Sequence, residues 1–123
     1  MANPNIVNVT SIYGNTSYLI PTTTGVTTWT ALTPAVGTVN KVNNIVASNV
    51  TGSAVNVTVS INSAISGGGT AYRIAFQISV PANASLIIVD KTTSIYVGEA
   101  QSIVATVGTA NAIELTASYE ALT

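Results

Sequence analysis

The chain has 123 residues, with three basic and four acidic side chains, a net charge of −1, and neither histidine nor cysteine. Imidazole is the usual general base near neutral pH and thiolate the strongest ordinary nucleophile, so this composition argues against an enzyme, a cofactor and a metal site. Nucleic acids and anionic membranes bind clustered Lys and Arg, so neither is an expected partner. The length predicts a single domain over residues 1–123.

Residues 1–40 differ from the rest of the chain, because their apolar and polar residues alternate only weakly and they hold three of the four prolines. Strands are predicted over 5–13, 17–20 and 26–31. Proline cannot donate a hydrogen bond to a sheet ladder, which confines it to sheet edges, strand starts and bulges. Two interpretations stay open: edge strands and loops, or a first part that serves as an N-terminal docking arm.

From residue 39 onward the dominant period is two. A long strand is predicted over 39–50, with room for a bulge or a corner. Strands over 53–63 and 70–80 follow, joined by the Gly-rich stretch 66–69, which predicts a flexible hairpin turn. The alternation in the 70–80 strand predicts a core face of Tyr72, Ile74, Phe76, Ile78 and Val80.

The end of the chain predicts four more strands, over 86–89, 94–97, 102–107 and 113–120, separated by turn residues. Each alternating run has one core face and one solvent face, which is typical of antiparallel sheets covered on one side. About eight to ten short strands and no convincing helix predict an all-β fold: a single antiparallel β-sandwich, jelly-roll-like in topology. A closed barrel is the other option.

The four acidic residues are expected to be solvated. Asp90 and Glu99 stand in predicted turns, while Glu114 and Glu120 share one strand face about 20 Å apart. The paired carboxylates of glycosidases lie only about 5–9.5 Å apart. Without histidine no Ser-His-Asp triad can form, and the stretch 66–69 lacks the Lys and the following helix of a phosphate loop. We therefore predict no catalytic residue.

Four residues are candidate contacts with a partner: Tyr13, Tyr18, Trp29 and Arg73. Tyr and Trp are enriched at interface hot spots, although Trp29 suits a core position equally well and a sugar-stacking platform less well. Arg73 is the only arginine, and its expected partner is Glu114 or Glu120 of the same chain or an acid of a neighbouring subunit. Low net charge leaves little repulsion between copies and favours a homo-oligomer.

Five stretches of the chain share their pattern with one group of proteins. They are 3–14 (NPNIVNVTSIYG), 41–50 with 54–59 (KVNNIVASNV, AVNVTV), 72–75 (YRIA), 80–86 (VPANASL) and 117–120 (ASYE). In these stretches the chain resembles the small β-rich virion structural proteins of tailed phages, especially marine and cyanobacterial phages.

That resemblance implies a non-enzymatic virion protein, made in the host cytoplasm and present in many copies. It implies most of all a head decoration (cement) protein that binds the major capsid protein or other virion subunits as a dimer or trimer. A neck, tail or fibre component is the alternative. A carbohydrate-binding β-sandwich is the rival from another class, and it requires two or three aromatic side chains at alternating positions on one exposed face.

Overall fold

The computed structural model describes residues 4–123, and nine β-strands form nearly all of its regular structure. The strands are β1 Ile12–Leu19, β2 Thr27–Thr28, β3 Val39–Asn49, β4 Val55–Asn62, β5 Ala71–Val80, β6 Ser85–Val89, β7 Ile95–Val97, β8 Ser102–Val107 and β9 Ile113–Leu122. Within residues 4–123 the helical turns are two short 3-10 helices, Thr30–Leu32 and Lys91–Thr93. The predicted all-β class is confirmed.

The strands form two antiparallel sheets that pack as a sandwich. The five-stranded sheet has the order β1-β9-β3-β6, with β7 also paired to β3, and the four-stranded sheet has the order β2-β8-β4-β5. This is the order of an eight-strand jelly roll in which β6 and β7 together fill one strand position. The chain therefore folds as the predicted sandwich and not as a closed barrel.

The core lies between the two sheets and is built from the inward residues of their central strands. In the five-stranded sheet Ile45 pairs with Ala117 and Ala47 with Leu115, and all four side chains are fully buried. In the four-stranded sheet the buried Val59 pairs with Ala105. Burying one such branched aliphatic side chain contributes roughly 1.5–3 kcal/mol, so these rows account for much of the fold's stability.

The long strand β3 contains the predicted bulge. Its register against β9 shifts between Val42 and Asn44, which leaves Asn43 without a partner in the ladder. The side-chain oxygen of Asn44 accepts a hydrogen bond from the Ser118 N–H at 3.0 Å. A bulge bends its strand, and here β3 pairs with β7 on one side of it and with β6 on the other.

The predicted core face of β5 is wrong for three of its five residues, because Val80 is buried and Ile74 packs half-buried against the core. Of its apolar residues only Val80 is buried, while Tyr72, Phe76 and Ile78 are exposed. The register of β5 against β4 shifts twice, and Gln77 has a φ of 49° with its N–H bonded to the Thr58 hydroxyl at 2.9 Å. Each shift interrupts the period of two, and β5 is the last strand of its sheet, so no further strand covers it.

The predicted strand over 5–13 is also wrong. The side-chain oxygen of Asn5 accepts a hydrogen bond from the Val7 N–H at 3.0 Å, and the Asn8 N–H bonds to the Asn5 carbonyl at 3.0 Å. Such Asx-type bonds favour a turn over a strand, so the first strand begins at Ile12. Strands β1 and β2 lie at sheet edges. Residues 1–3 of the predicted docking arm lie outside the described residues.

Candidate functional site: the exposed sheet edges

The acidic residues serve the fold. Asp90 caps the second 3-10 helix, and its Oδ1 accepts hydrogen bonds from the Thr92 hydroxyl at 2.6 Å and from the Thr92 N–H at 2.8 Å. These bonds, with further ones from Thr93, hold the pKa of the Asp90 carboxyl below its ordinary value of 3.8. Within residues 4–123 no three acidic side chains gather into a possible metal site.

Glu99 is buried, which corrects the expectation of a solvated turn residue. Its Oε2 accepts a hydrogen bond from the Gly37 N–H at 2.6 Å. The contact joins the turn between β7 and β8 to the loop before β3, and a backbone N–H donated to a carboxylate is among the stronger hydrogen bonds. The two residues are 62 positions apart in the chain, so no local pattern in the sequence points to the pairing.

Trp29 is a core residue with 1% of its surface exposed. Its indole Nε1 donates a hydrogen bond to the Ser17 hydroxyl of β1 at 3.0 Å, and its backbone N–H donates to the Ile103 carbonyl of β8 at 2.7 Å. Trp29 therefore links the two sheets, through its side chain to β1 and through its backbone to β8. A buried indole is available neither as an interface anchor nor as a sugar platform, which leaves the core position that its sequence context also allowed.

Arg73 does not pair with Glu114 or Glu120 across neighbouring strands, because it lies on β5 while both acids lie on β9 in the other sheet. Its guanidinium carbon instead lies 5.1 Å from the ring centroid of Phe76, a cation–π distance. Both side chains are exposed on the same edge strand. Arg73 therefore belongs to the surface of β5.

One exposed apolar surface, the β5 patch, consists of Tyr72, Phe76 and Ile78. The three side chains lie along the outermost strand of the four-stranded sheet, with Arg73 between Tyr72 and Phe76 in the chain. Tyr72 and Ile78 pair with the inward residues Ile61 and Val57, so they are exposed because β5 is an edge strand. Phe76 lies within the first register shift, where the alternation is interrupted. The alternating sequence assigned them to the interior, so this surface emerges only from the strand pairing.

The second exposed surface belongs to β1, which carries the predicted contacts Tyr13 and Tyr18. Both tyrosines are exposed, and β1 pairs with β9 along its whole length at the edge of the five-stranded sheet. On the outer face of that sheet Tyr18 begins the Tyr18 row. Its members, paired strand by strand, are Tyr18, Thr116, Val46 and Ile87.

A shallow open groove crosses the outer face of the four-stranded sheet. Its lining is mostly polar and uncharged: Asn56, Thr58, Gln77, Thr106, Val107 and Gly108. These side chains and backbone groups can hydrogen-bond a small polar molecule, but they supply no stacking surface. No helix within residues 4–123 combines the length and the hydropathy needed to cross a bilayer.

Comparison with known proteins shows no family. No family model matches the chain, and no curated protein sequence matches it. Among solved structures, one similar chain belongs to "Structure of infectious bursal disease virus Gt strain", at 9% sequence identity and a TM-score of 0.42. The match covers 93% of this chain and 31% of that one, so this chain spans about a third of its length. The resemblance to tailed-phage virion proteins therefore remains a prediction.

Proposed function

We propose that the chain is a non-enzymatic structural protein of a virion, and that within the virion it is a head decoration (cement) protein of a tailed phage. The observation that carries the proposal is the β5 patch. Tyr72, Phe76 and Ile78 are all exposed along one edge strand, and exposed apolar side chains grouped in this way commonly mark a surface that another protein covers. Tyr and Phe are also the residue types enriched at the centres of interfaces.

Two further features support a structural role. Jelly rolls recur in viral capsid domains, although also in lectins and cupins, so the topology alone decides nothing. Of the four acidic residues, Asp90 caps a 3-10 helix and Glu99 makes a buried loop contact. The other two, Glu114 and Glu120, lie on β9. A catalytic role based on paired titratable groups therefore has little support. A role in binding another protein is supported by the β5 patch.

The proposed partner of the β5 patch is the major capsid protein or another subunit of the particle. Burial of Tyr72, Phe76 and Ile78 would supply the apolar centre of the contact. Arg73, held over the Phe76 ring, presents its guanidinium donors beside that centre, where a carboxylate or carbonyl oxygen of the partner would accept them. A neck, tail or fibre subunit would use the same patch at another place on the particle.

We do not propose the carbohydrate-binding alternative. Trp29, its expected platform, is buried, and the polar groove has no aromatic lining residue. Tyr72 and Phe76 are exposed on one strand, but the alternation between them is broken by a register shift. Sugar rings stack on flat, adjacent aromatic faces, and this arrangement is not one of them.

The proposal predicts that Tyr72→Thr weakens binding to particles while Tyr96→Thr does not. Both changes replace an exposed strand tyrosine, 61% exposed on β5 and 46% exposed on β7 of the other sheet. Loss of an aromatic anchor from an interface centre typically costs more than about 1.4 kcal/mol, so binding should weaken at least about tenfold. The measurement is the amount of each purified variant that cosediments with particles of the encoding virus prepared without the chain.

Three results would contradict the proposal. They are absence of the chain from purified particles by mass spectrometry, no cosedimentation of the unmodified chain, and equal binding of the two tyrosine variants. A reconstruction of the intact particle separates the head assignment from the neck, tail and fibre assignments, because it places the bound copies directly.

A further inference from the structure

We infer that the free edge of β1 is a self-pairing site, where β1 of a second copy adds in antiparallel orientation about a two-fold axis at Asn15. The pairing would join two five-stranded sheets into one continuous sheet. The inference goes beyond the proposed virion role and does not depend on it, because it requires only the purified chain. It also uses a different strand, at the edge of the other sheet, from the one that forms the β5 patch.

The first argument concerns the backbone groups that β1 leaves open. Just before β1, Ser11 and Thr123 exchange two hydrogen bonds, at 3.2 and 3.0 Å. Hydrogen-bonded and non-hydrogen-bonded pairs alternate along an antiparallel ladder. The residues of β1 that bond to β9 are therefore the odd-numbered ones. The N–H and C=O groups that face away from β9 belong to Ile12, Gly14, Thr16 and Tyr18.

The second argument is that this edge lacks the usual protection against strand addition. Proteins blunt free edges with Lys, Pro, bulges or very short strands. Strand β1 has eight residues without a charge or a proline, and its register against β9 is unbroken. By contrast, β5 carries Arg73 and two register shifts, and β2 has only two residues.

The third argument is that the edge is complementary to itself in one register. With the two-fold axis at Asn15, Ile12 lies opposite Tyr18 of the copy, and Gly14 lies opposite Thr16 of the copy. All the open groups of β1 are then paired, whereas a register shifted by two residues leaves some of them unpaired. A β-branched residue opposite an aromatic one is a favourable cross-strand pair.

The same register continues the apolar rows of the outer face. Ile12 lies opposite Leu122, and Leu122 lies opposite Val39. Because Ile12 of one copy would lie opposite Tyr18 of the other, this row would join the Tyr18 row across the axis. The row of Ile12 with the buried Leu122 and Val39 would then continue into the Tyr18 row of the copy, which is apolar except at Thr116.

Charge does not oppose the pairing. The charged residue nearest to the strand in the sheet is Glu120, which lies opposite Gly14. Strand spacing places the Glu120 side chains of the two copies about 16 Å apart. That separation exceeds the Debye length of about 8 Å at physiological salt, so their repulsion is largely screened.

The test uses the absence of cysteine from the chain. The proposed axis places Asn15 directly opposite its own copy in a non-hydrogen-bonded pair, whose Cα atoms lie about 4.5 Å apart, within disulfide reach. Thr16 lies about 9 Å from its copy in this register, which is too far. Under mild oxidation Asn15→Cys should convert most of the chain to a covalent dimer, and Thr16→Cys should give at least about fivefold less.

Light scattering of the unmodified full chain gives the second readout. A two-fold pairing uses the whole edge of each copy, so the expected species is a dimer and not a trimer. Either a monomer or a trimer at all accessible concentrations would overturn the inference, and so would equal cross-linking of the two cysteine variants. None of these results bears on binding to particles through the β5 patch, so the two proposals fail separately. Circular dichroism confirms that each cysteine variant is folded.

Discussion

Two asparagines, Asn49 and Asn62, end β3 and β4 and hold the loops that follow. The Asn62 side chain is buried, and its oxygen accepts hydrogen bonds from the N–H groups of Ala64 and Gly69 at 2.9 and 3.0 Å. Its amide nitrogen donates to the Gly67 carbonyl at 3.1 Å. Asn49 bonds to Thr51 and Ser53 in the loop after β3 and also to the Val80 carbonyl of β5. One amide thus replaces the partners that several backbone groups lose where the strand ends.

We expect Asn62→Ala to lower the free energy of unfolding by about 1–3 kcal/mol, because it removes three part-buried hydrogen bonds, to the N–H groups of Ala64 and Gly69 and to the Gly67 carbonyl. Asn56→Ala is the matched control, since Asn56 is exposed on the same strand; its effect should stay within about 0.5 kcal/mol. Urea denaturation of both variants measures the difference. Equal stability of the two variants would show that the loop does not depend on the Asn62 amide.

At the scale of elements, the turn between β4 and β5 is packed, although its glycines predict flexibility. The Thr28 hydroxyl of β2 donates a hydrogen bond to the Ser66 carbonyl at 3.2 Å. A Cβ added at Gly69 would meet the Ser63 hydroxyl, and it would lie 3.0 Å from the backbone nitrogen of Ala64. A backbone atom moves aside less readily than a flexible side chain, so a Cβ at this position requires the turn to shift by a few tenths of an ångström.

Gly69→Ala should therefore destabilise the fold by about 1–3 kcal/mol, the usual cost of forcing extra volume into a packed site. At Gly68 the nearest atom to an added Cβ is the Ser66 hydroxyl at 3.6 Å, an ordinary contact. Gly68→Ala should therefore be neutral or slightly stabilising, by up to about 1 kcal/mol. Thermal unfolding of the pair measures this contrast, and a Gly69→Ala variant as stable as Gly68→Ala would contradict a packed turn.

For the whole molecule, the small number of charges means that its contacts must depend on apolar burial and backbone hydrogen bonds. Three basic and four acidic residues leave little for salt to screen. Both proposed surfaces follow this rule, since Arg73 is the one charged residue placed in either of them. Association by such surfaces differs from charge-steered association, which falls steeply as ionic strength rises.

We expect the dissociation constant of the proposed dimer to change less than about threefold between about 0.05 and 0.5 M sodium chloride. Sedimentation velocity at a series of concentrations measures it. Moderate salt does not weaken backbone pairing or apolar burial, and strongly excluded salts strengthen burial. A tenfold loss of affinity over this range would indicate that charged contacts hold the copies together instead of the β1 edge.

Composition and local period were sufficient to predict the class, most strand positions and an irregularity, either a bulge or a corner, in β3. The alternation is accurate on β9, where Ile113, Leu115 and Ala117 are buried as expected, because β9 is a central strand with a neighbour on each side. Turn residues also act locally: the hydrogen bonds of Asp90 span no more than three residues. Features of this kind depend on interactions between near neighbours in the chain, so the sequence alone determines them.

Tertiary structure decided which apolar faces are covered. Strand β5 has the strongest alternation in the sequence, yet its position at an edge and its register shifts leave Tyr72 and Phe76 exposed. Trp29 became a core residue, and Glu99 a buried loop contact, through partners far away in the chain. An alternating apolar pattern indicates that one face of a strand favours burial. Only the pairing of distant strands determines whether another part of the chain covers that face. For this protein the uncovered faces are the two proposed contact surfaces.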